Sequence, residues 1–207
     1  MMKIDSLASA PDRAGRYLVK FSDGSTMRLY RLTVEDFGLY TGMELSDTDV
    51  AALRSAAGKM SAKMRAVRIV AASSVSCQDL QQRLVQKGET PQQAKEAVQW
   101  LSELNLVDDR QTACQIVSRC AAKGYGIARA KQALYEKRIP KEFWEEALAD
   151  YPDQLDTIID FLHARLHDTD DSREVKHAID ALLRRGHSYG MIQRALRRLN
   201  RDDFSEE

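Results

Sequence analysis

Apolar residues recur every three or four positions over most of the chain from residue 61 onward. On the first two helices predicted for residues 76–107, the apolar face consists of Cys77, Leu80, Leu84, Ala94, Val98, Trp100, Leu101 and Leu104. This spacing is typical of an amphipathic α-helix that buries one side. The pattern therefore predicts short helices whose apolar faces pack together.

Residues that favour helix ends separate these helices. Ser76 and Thr90 are good N-caps, because their hydroxyl oxygens accept hydrogen bonds from unpaired N–H groups of the first turn. Gly88 lies between them, where a left-handed residue ends a helix at little cost. A third helix is predicted to open near Asp108 and to end at Gly124. The pattern is thus helix, tight turn, helix, with a third helix following.

The same pattern returns twice further along the chain. With offsets of 50 and then 48 residues, two sets of positions coincide: Leu84, Leu134 and Leu182, and Lys87, Lys137 and Arg185. A helical period near 48 residues indicates tandem repeats, each too small to hold a core alone. We predict three-helix, helix-turn-helix-like repeats at 61–107, 108–150 and 151–200, stacked in an elongated curved array.

The N-terminal region has a different period. Residues 1–14 are polar and predicted to be flexible. Residues 15–60 are predicted to hold a β-hairpin and short helices, because two β-prone runs flank Ser-Asp-Gly-Ser at 22–25, and Asp-Gly between such runs favours a hairpin. A longer helix is expected from Thr48 to Ala72. With a polar tail at 201–207, the predicted fold class is mainly α with a small N-terminal β-hairpin.

Composition narrows the class of protein. Hydrophobic residues make up 43% and charged residues 30%, with a formal net charge of zero, which argues against a protein that coats nucleic acid. The start of the chain has no apolar run of the kind found in a signal peptide, and no apolar run elsewhere is long enough for a membrane span. We therefore expect a cytoplasmic protein without membrane contact. Cys77, Cys114 and Cys120 are expected to be reduced core residues.

The zero net charge hides a segregation of charges near the C-terminus. Between Arg173 and Arg201 there are eight basic residues and two acidic ones, whereas 150–171 holds seven aspartates and one arginine. Arg194, Arg197, Arg198 and Arg201 share one face of the last predicted helix, and Arg184 and Arg185 end the helix before it. A solvated surface that suits the helix dipole is the alternative to a binding site. As a site, these residues would meet phosphates or an acidic protein surface.

A second candidate contact lies at Gly124-Tyr125-Gly126, where an aromatic residue is followed by Arg129 and Lys131. The alternative is that Tyr125 packs the turn onto a neighbouring repeat. His163 and His167 have a metal-ligand spacing but no third ligand nearby, so we predict no metal site. No phosphate-binding loop or nucleophile motif is found, and we expect no cofactor and no catalytic residues.

Four segments form an ordered pattern along the chain: LQQRLVQKG at 80–88, LSELNLVDD at 101–109, KGYGIARAKQALYEKRI at 123–139 with the helix after Pro140, and more loosely the hairpin with GLYTGMELSD at 38–47. Together they resemble the RecX family of regulators of the RecA recombinase. The chain departs from the family pattern at 71–75, where charged residues are common, and at Arg138, where glycine is common.

The resemblance implies a non-enzymatic protein that binds RecA and the RecA–DNA filament. Such a protein restrains ATP turnover, strand exchange and co-protease action in recombination, DNA repair and the SOS response. We expect a monomer, and leave weak direct DNA binding open. A stand-alone helix-turn-helix DNA-binding protein is the alternative, although two of the three equivalents of a recognition helix begin with mixed or acidic residues. A purely structural helical scaffold for another partner is a third hypothesis.

Overall fold

A computed structural model describes residues 1–166 and 172–203, with side chains described up to residue 199. The chain divides into two compact units, residues 1–107 and the part from Asp108 onward. The first holds β1 (Met2–Leu7), β2 (Arg16–Phe21), β3 (Thr26–Tyr30), α1 (Arg31–Asp36), β4 (Glu44–Leu45), α2 (Asp47–Ala72), α3 (Cys77–Gln86) and α4 (Pro91–Glu103). The second holds α5 (Asp109–Ala122), α6 (Ile127–Glu136), a 3-10 turn (Lys141–Phe143), α7 (Trp144–Leu148), α8 (Leu155–His163), α9 (Ser172–Arg184) and α10 (Tyr189–Asp203).

The N-terminal sheet is larger than the predicted hairpin. Strands β2 and β3 form that hairpin, and the antiparallel sheet has the order β3-β2-β1-β4. The expectation that 1–14 is flexible is wrong for residues 2–7, because they form β1, which pairs with both β2 and β4. Ile4 on β1 is fully buried in the sheet core. The partner β4 lies far along the chain, so local composition could not indicate that pairing.

Helix α2 joins the two cores of the first unit. It has 26 residues and begins with a capping box between Ser46 and Asp49, so its length is about 39 Å. Val50 and Leu53 pack into the sheet core, whereas Ala62 and Ala66 pack into the core of α3 and α4. The helix is continuous, and one element therefore serves both the sheet and the first three-helix repeat.

The same turn follows the middle helix of every repeat. The N–H of Glu89 donates to Leu84 O at 3.1 Å, that of Ile139 to Leu134 O at 3.0 Å, and that of His187 to Leu182 O at 3.1 Å. In each case the preceding residue is left-handed, with φ 95° at Gly88, 54° at Arg138 and 88° at Gly186. This is the Schellman arrangement. It confirms the offsets of 50 and 48.

The second unit has one core for each of its two repeats. Ala113, Val117, Leu134 and Ile139 form the first, and α8, α9 and α10 enclose the second. The predicted helix from Pro140 to Ala149 is divided into the 3-10 turn and α7. At the C-terminus, α10 extends to Asp203, so the start of the predicted polar tail is helical; residues 204–207 lie outside the described residues.

Two apolar assignments from the sequence are wrong. Leu104 is 50% exposed, because it is the C-cap residue of α4 and lies beyond the last turn that packs on the core. Cys114 is a free thiol on the exposed side of α5, whereas Cys120, also free, is buried. Within the described part of the chain, no helix combines the length and apolar character needed to cross a bilayer.

Arg138 lies in a turn with a left-handed backbone conformation, which strains any residue that has a Cβ. We expect Arg138→Gly to raise the free energy of unfolding by about 1 kcal/mol, because a left-handed residue with a Cβ is strained by roughly that amount. Thermal unfolding followed by circular dichroism measures the effect. The matched control is Gly88→Ala at the equivalent turn, which should lower stability. A lower melting temperature for the Arg138 variant would contradict the assignment.

Candidate partner-binding surfaces

The predicted contact residues all lie in the second unit, where the structure separates them into two groups. Tyr125, Arg129, Lys131, Arg184 and Arg185 surround the turns after α5 and α9, whereas Arg194, Arg197 and Arg198 lie along α10.

The turn after α5 and the turn after α9 contact each other through their backbones. The N–H of Gly126 donates to Arg185 O at 2.9 Å, and that of Ala128 to Gly186 O at 3.3 Å. A Cβ on Gly126 would overlap the carbonyl oxygen of Gly186, and a Cβ on Gly186 would overlap the backbone of Arg129. Glycine at both positions therefore permits an approach that holds the second and third repeats together.

Arg185 and Tyr125 are engaged inside this contact. The guanidinium of Arg185 is half-buried and lies 5.7 Å from the ring centre of Tyr125 and 5.1 Å from that of Phe161. Its Nη2 donates to Lys123 O at 3.1 Å. A cation over two aromatic faces stabilises the packing. For Tyr125, the structure therefore favours the alternative that it packs the turn onto the neighbouring repeat.

Tyr151 adds a further bond to the same turn. Its hydroxyl donates to the carbonyl of Tyr125 at 2.7 Å. Burial raises the pKa of Tyr151 to about 12, so the hydroxyl keeps its proton and continues to donate at neutral pH. The carbonyl of Tyr125 is thus satisfied within the unit.

His187 is the buried polar residue at this joint. It is 5% exposed, and its Nε2 lies 3.1 Å from Gly124 O, while its Nδ1 is buried without a hydrogen-bond partner among the described residues. Burial lowers the pKa of His187 below its ordinary value of 6.5. The sequence analysis missed this residue, although the offset of 48 from Ile139 could have indicated it.

The remaining residues of the first group are exposed. Arg129, Lys131 and Arg184 have side chains on the surface, and Arg129 lies 3.4 Å from Glu136 in a solvated ion pair. Such exposed pairs contribute little to stability. These three cations are therefore accessible to a partner.

The α10 surface consists of the exposed cations Arg194, Arg197 and Arg198. They line an open groove of about 810 Å³ together with Leu155, Tyr189, Gly190 and Gln193, while Ile192, Ala195 and Leu199 on the other side are buried. The predicted division of this helix into a basic and an apolar face is confirmed. The side chain of Arg201 lies outside the described residues.

Two further features of the α10 surface bear on binding. Arg198 lies 3.7 Å from Asp156, and both side chains are more than half exposed, so water screens this pair. Tyr189 is 58% exposed. The sequence analysis missed it, although it lies eight positions before Arg197, on the same helix stripe. The guanidinium groups suit an anionic partner.

The prediction of no metal site concerns His163 and His167, and the structure describes His163 alone of these two. Among residues 1–166 and 172–199, no three His, Cys, Asp or Glu side chains are grouped closely enough to hold a metal ion. His163 is exposed, and His167 lies outside the described residues.

Comparison with known proteins identifies relatives of the chain. A family model described as the second three-helix domain of RecX matches residues 108–148. The Regulatory protein RecX of Vibrio parahaemolyticus is 26% identical over 140 residues, which cover 66% of this chain and 90% of that protein. The protein of the same name from Cronobacter sakazakii is 30% identical over 113 residues, which cover 50% of this chain and 67% of that protein.

Solved structures show the same fold. A crystal structure of regulatory protein RecX matches with a TM-score of 0.66 at 19% identity and covers 93% of this chain and 98% of that one. The crystal structure of RecX from Lactobacillus salivarius matches with a TM-score of 0.61 at 20% identity and covers 70% of this chain and 98% of that one.

The glycine contact gives a test of the joint between the second and third repeats. Gly126→Ala should lower the free energy of unfolding by about 2 kcal/mol or more, because its Cβ forces the two turns apart. Urea unfolding of the full chain measures the loss. Gly190→Ala is the matched control, since open space surrounds Gly190 in α10, and it should leave stability unchanged or raise it. Equal effects of the two changes would contradict the close approach.

The free energy of unfolding should also decrease as the pH falls, because His187 is buried in its neutral form. The unfolded chain binds the proton more readily than the folded one, so the contribution of neutral His187 is full above its ordinary pKa and is lost as the pH falls through the lower folded value. Urea unfolding between about pH 8 and about pH 5 measures this. In His187→Gln the fall should be smaller, and an unchanged pH profile would show that His187 does not contribute.

Proposed function

Because the chain belongs to the RecX family of regulatory proteins, we propose that it is a negative regulator of RecA that binds the RecA–DNA filament. Its action is binding without chemistry, and it takes place in the cytoplasm. Binding restrains the ATPase, strand-exchange and co-protease activities of the filament in recombination, DNA repair and the SOS response. The observation that carries this proposal is the family relationship, supported by the shared fold.

The α10 surface is the proposed main contact. Arg194 and Arg197 are exposed beside Tyr189 and Gln193, and Arg198 has one weak, solvated ion pair with Asp156. Because only this weak pair competes with a partner for Arg198, attraction between these cations and an anionic surface speeds association and contributes to specificity. The ligand is an acidic RecA surface or the phosphates of the DNA that RecA covers.

The contact between the turn after α5 and the turn after α9 supports the α10 surface. The Gly126–Arg185 hydrogen bond and the Arg185 ring stack hold the third repeat against the second. A contact surface whose backbone is already ordered loses less conformational entropy on binding. In this proposal Tyr125 and Arg185 support the contact from inside, while Arg129, Lys131 and Arg184 extend it.

RecA's single-strand-DNA-dependent ATP hydrolysis, measured while this protein is titrated in, tests the proposal. The wild-type protein should inhibit hydrolysis. The double variant Arg194→Glu/Arg197→Glu should need about tenfold more protein for the same inhibition, because two charge-assisted contacts become repulsive. Lys176→Glu, an exposed reversal on α9 in the same unit, is the matched control and should behave like the wild type.

Three outcomes separate the alternatives. If the double variant and the control inhibit equally, the α10 surface is not the contact, although the regulator proposal stands. If the wild-type protein leaves ATP hydrolysis unchanged, the regulator proposal is wrong. Tight, salt-sensitive binding to naked DNA in that case would favour the stand-alone DNA-binding protein.

A further inference from the structure

A second basic surface lies in the first unit, at the C-terminal end of α2. It is an open groove of about 470 Å³ lined by Arg65, Arg68, Ile69, Ala72, Ser73, Arg83 and Lys87. Its four cations come from α2, from α3 and from the turn after α3. Local sequence patterns do not group these residues, because the two stretches of chain meet only in the folded structure.

Two of the four cations are held from behind by buried carboxylates. Arg65 Nε lies 2.9 Å from Glu89, whose side chain is 7% exposed, and Arg65 Nη1 donates to Lys87 O at 3.0 Å. Ser61 donates a further hydrogen bond to Glu89 at 3.1 Å. Arg83 Nη2 lies 2.9 Å from Asp79, whose side chain is 10% exposed. A guanidinium has five N–H donors, so these bonds restrain each arginine without using all of its donors.

The third arginine is also held in place. Arg68 Nη2 donates to Ala14 O at 3.3 Å and to the hydroxyl of Tyr30 at 3.2 Å. Lys87 is exposed. Four cations against two carboxylates leave a formal excess of two positive charges in the groove. Oriented arginines lose little side-chain entropy when they bind an anion, so the groove is better prepared for a ligand than free surface side chains are.

A purely structural explanation accounts for only part of this arrangement. A helix dipole favours cations in the last turn and at the C-cap, which would explain Arg83 and Lys87 of α3. The last turn of α2 holds no basic residue, so the same effect does not explain Arg65 and Arg68. Lys87 nevertheless adds an exposed charge to a region that is already positive. Like charges brought together repel one another unless an anion lies between them.

We propose that this groove binds consecutive phosphate groups of a nucleic-acid backbone. Guanidinium forks match the oxygens of a phosphate, and two excess positive charges match two phosphodiesters with one negative charge each. Ile69 and Ala72 give the groove an apolar part against which a sugar packs. The contact adds a direct nucleic-acid site to the proposed function, and it does not require RecA.

Binding of a fluorescein-labelled oligothymidylate of about 20 nucleotides, measured by fluorescence anisotropy at low salt without RecA, tests the groove. Lys87→Glu should weaken binding about tenfold and lower the slope of log affinity against log salt by about one. Lys95→Glu, an exposed reversal on α4 in the same unit, is the matched control and should stay within about twofold of the wild type. Arg83→Lys keeps the charge but loses the fork, and should also weaken binding.

The measurement is repeated with Arg194→Glu/Arg197→Glu already present, so that DNA bound at α10 does not mask the groove. The same loss from Lys87→Glu in this background supports the proposal. Equal affinities for the Lys87 and Lys95 variants would overturn it. Polyglutamate that displaces the oligonucleotide at equal charge concentration would assign the groove to an acidic protein and would also overturn it. RecA inhibition is scored separately, so a failure here leaves the regulator proposal intact.

Discussion

One hydrogen-bonded turn, used after the middle helix of each repeat, determines much of what this protein presents to a partner. The turn places a left-handed residue first and buries the residue that follows it: Glu89, Ile139 or His187. At Ile139 the buried side chain fills the core of the second repeat, and its carbonyl accepts from Trp144 Nε1 at 3.0 Å. At the other two positions the buried residue is polar and must find a partner.

Those partners connect the turn to the two basic surfaces. Glu89 takes Arg65 as its partner and so orients one side of the groove in the first unit. His187 takes the carbonyl of Gly124 and so joins the third repeat to the second, beside the α10 surface. A change of side chain at one structural position thus produces a packed core, an oriented cation or a link between repeats. The backbone geometry is the same in all three.

The two surfaces differ in how their charges are held. In the first unit, buried carboxylates restrain Arg65 and Arg83, and removal of either carboxylate would remove that restraint from its arginine. On α10 the arginines are solvated, and they contribute to binding through long-range attraction and through contacts that form with the partner. A formal net charge of zero is compatible with both, because acidic residues elsewhere balance the sum without screening either surface at short range.

The sequence by itself determined the helices, their caps and their repetition, because helical spacing and capping residues act within a few positions of one another: Ser76 with Asp79, Thr90 with Gln93, and Leu84 with its equivalents Leu134 and Leu182. It also determined that α10 has a basic and an apolar face. Only the tertiary structure decided what pairs with what over long separations. It placed Ile4 in a sheet, buried His187 against Gly124, turned Arg185 onto two rings and gathered Arg65, Arg83 and Lys87 into one groove. Each of these depends on contacts between distant segments, which local patterns of polarity do not specify.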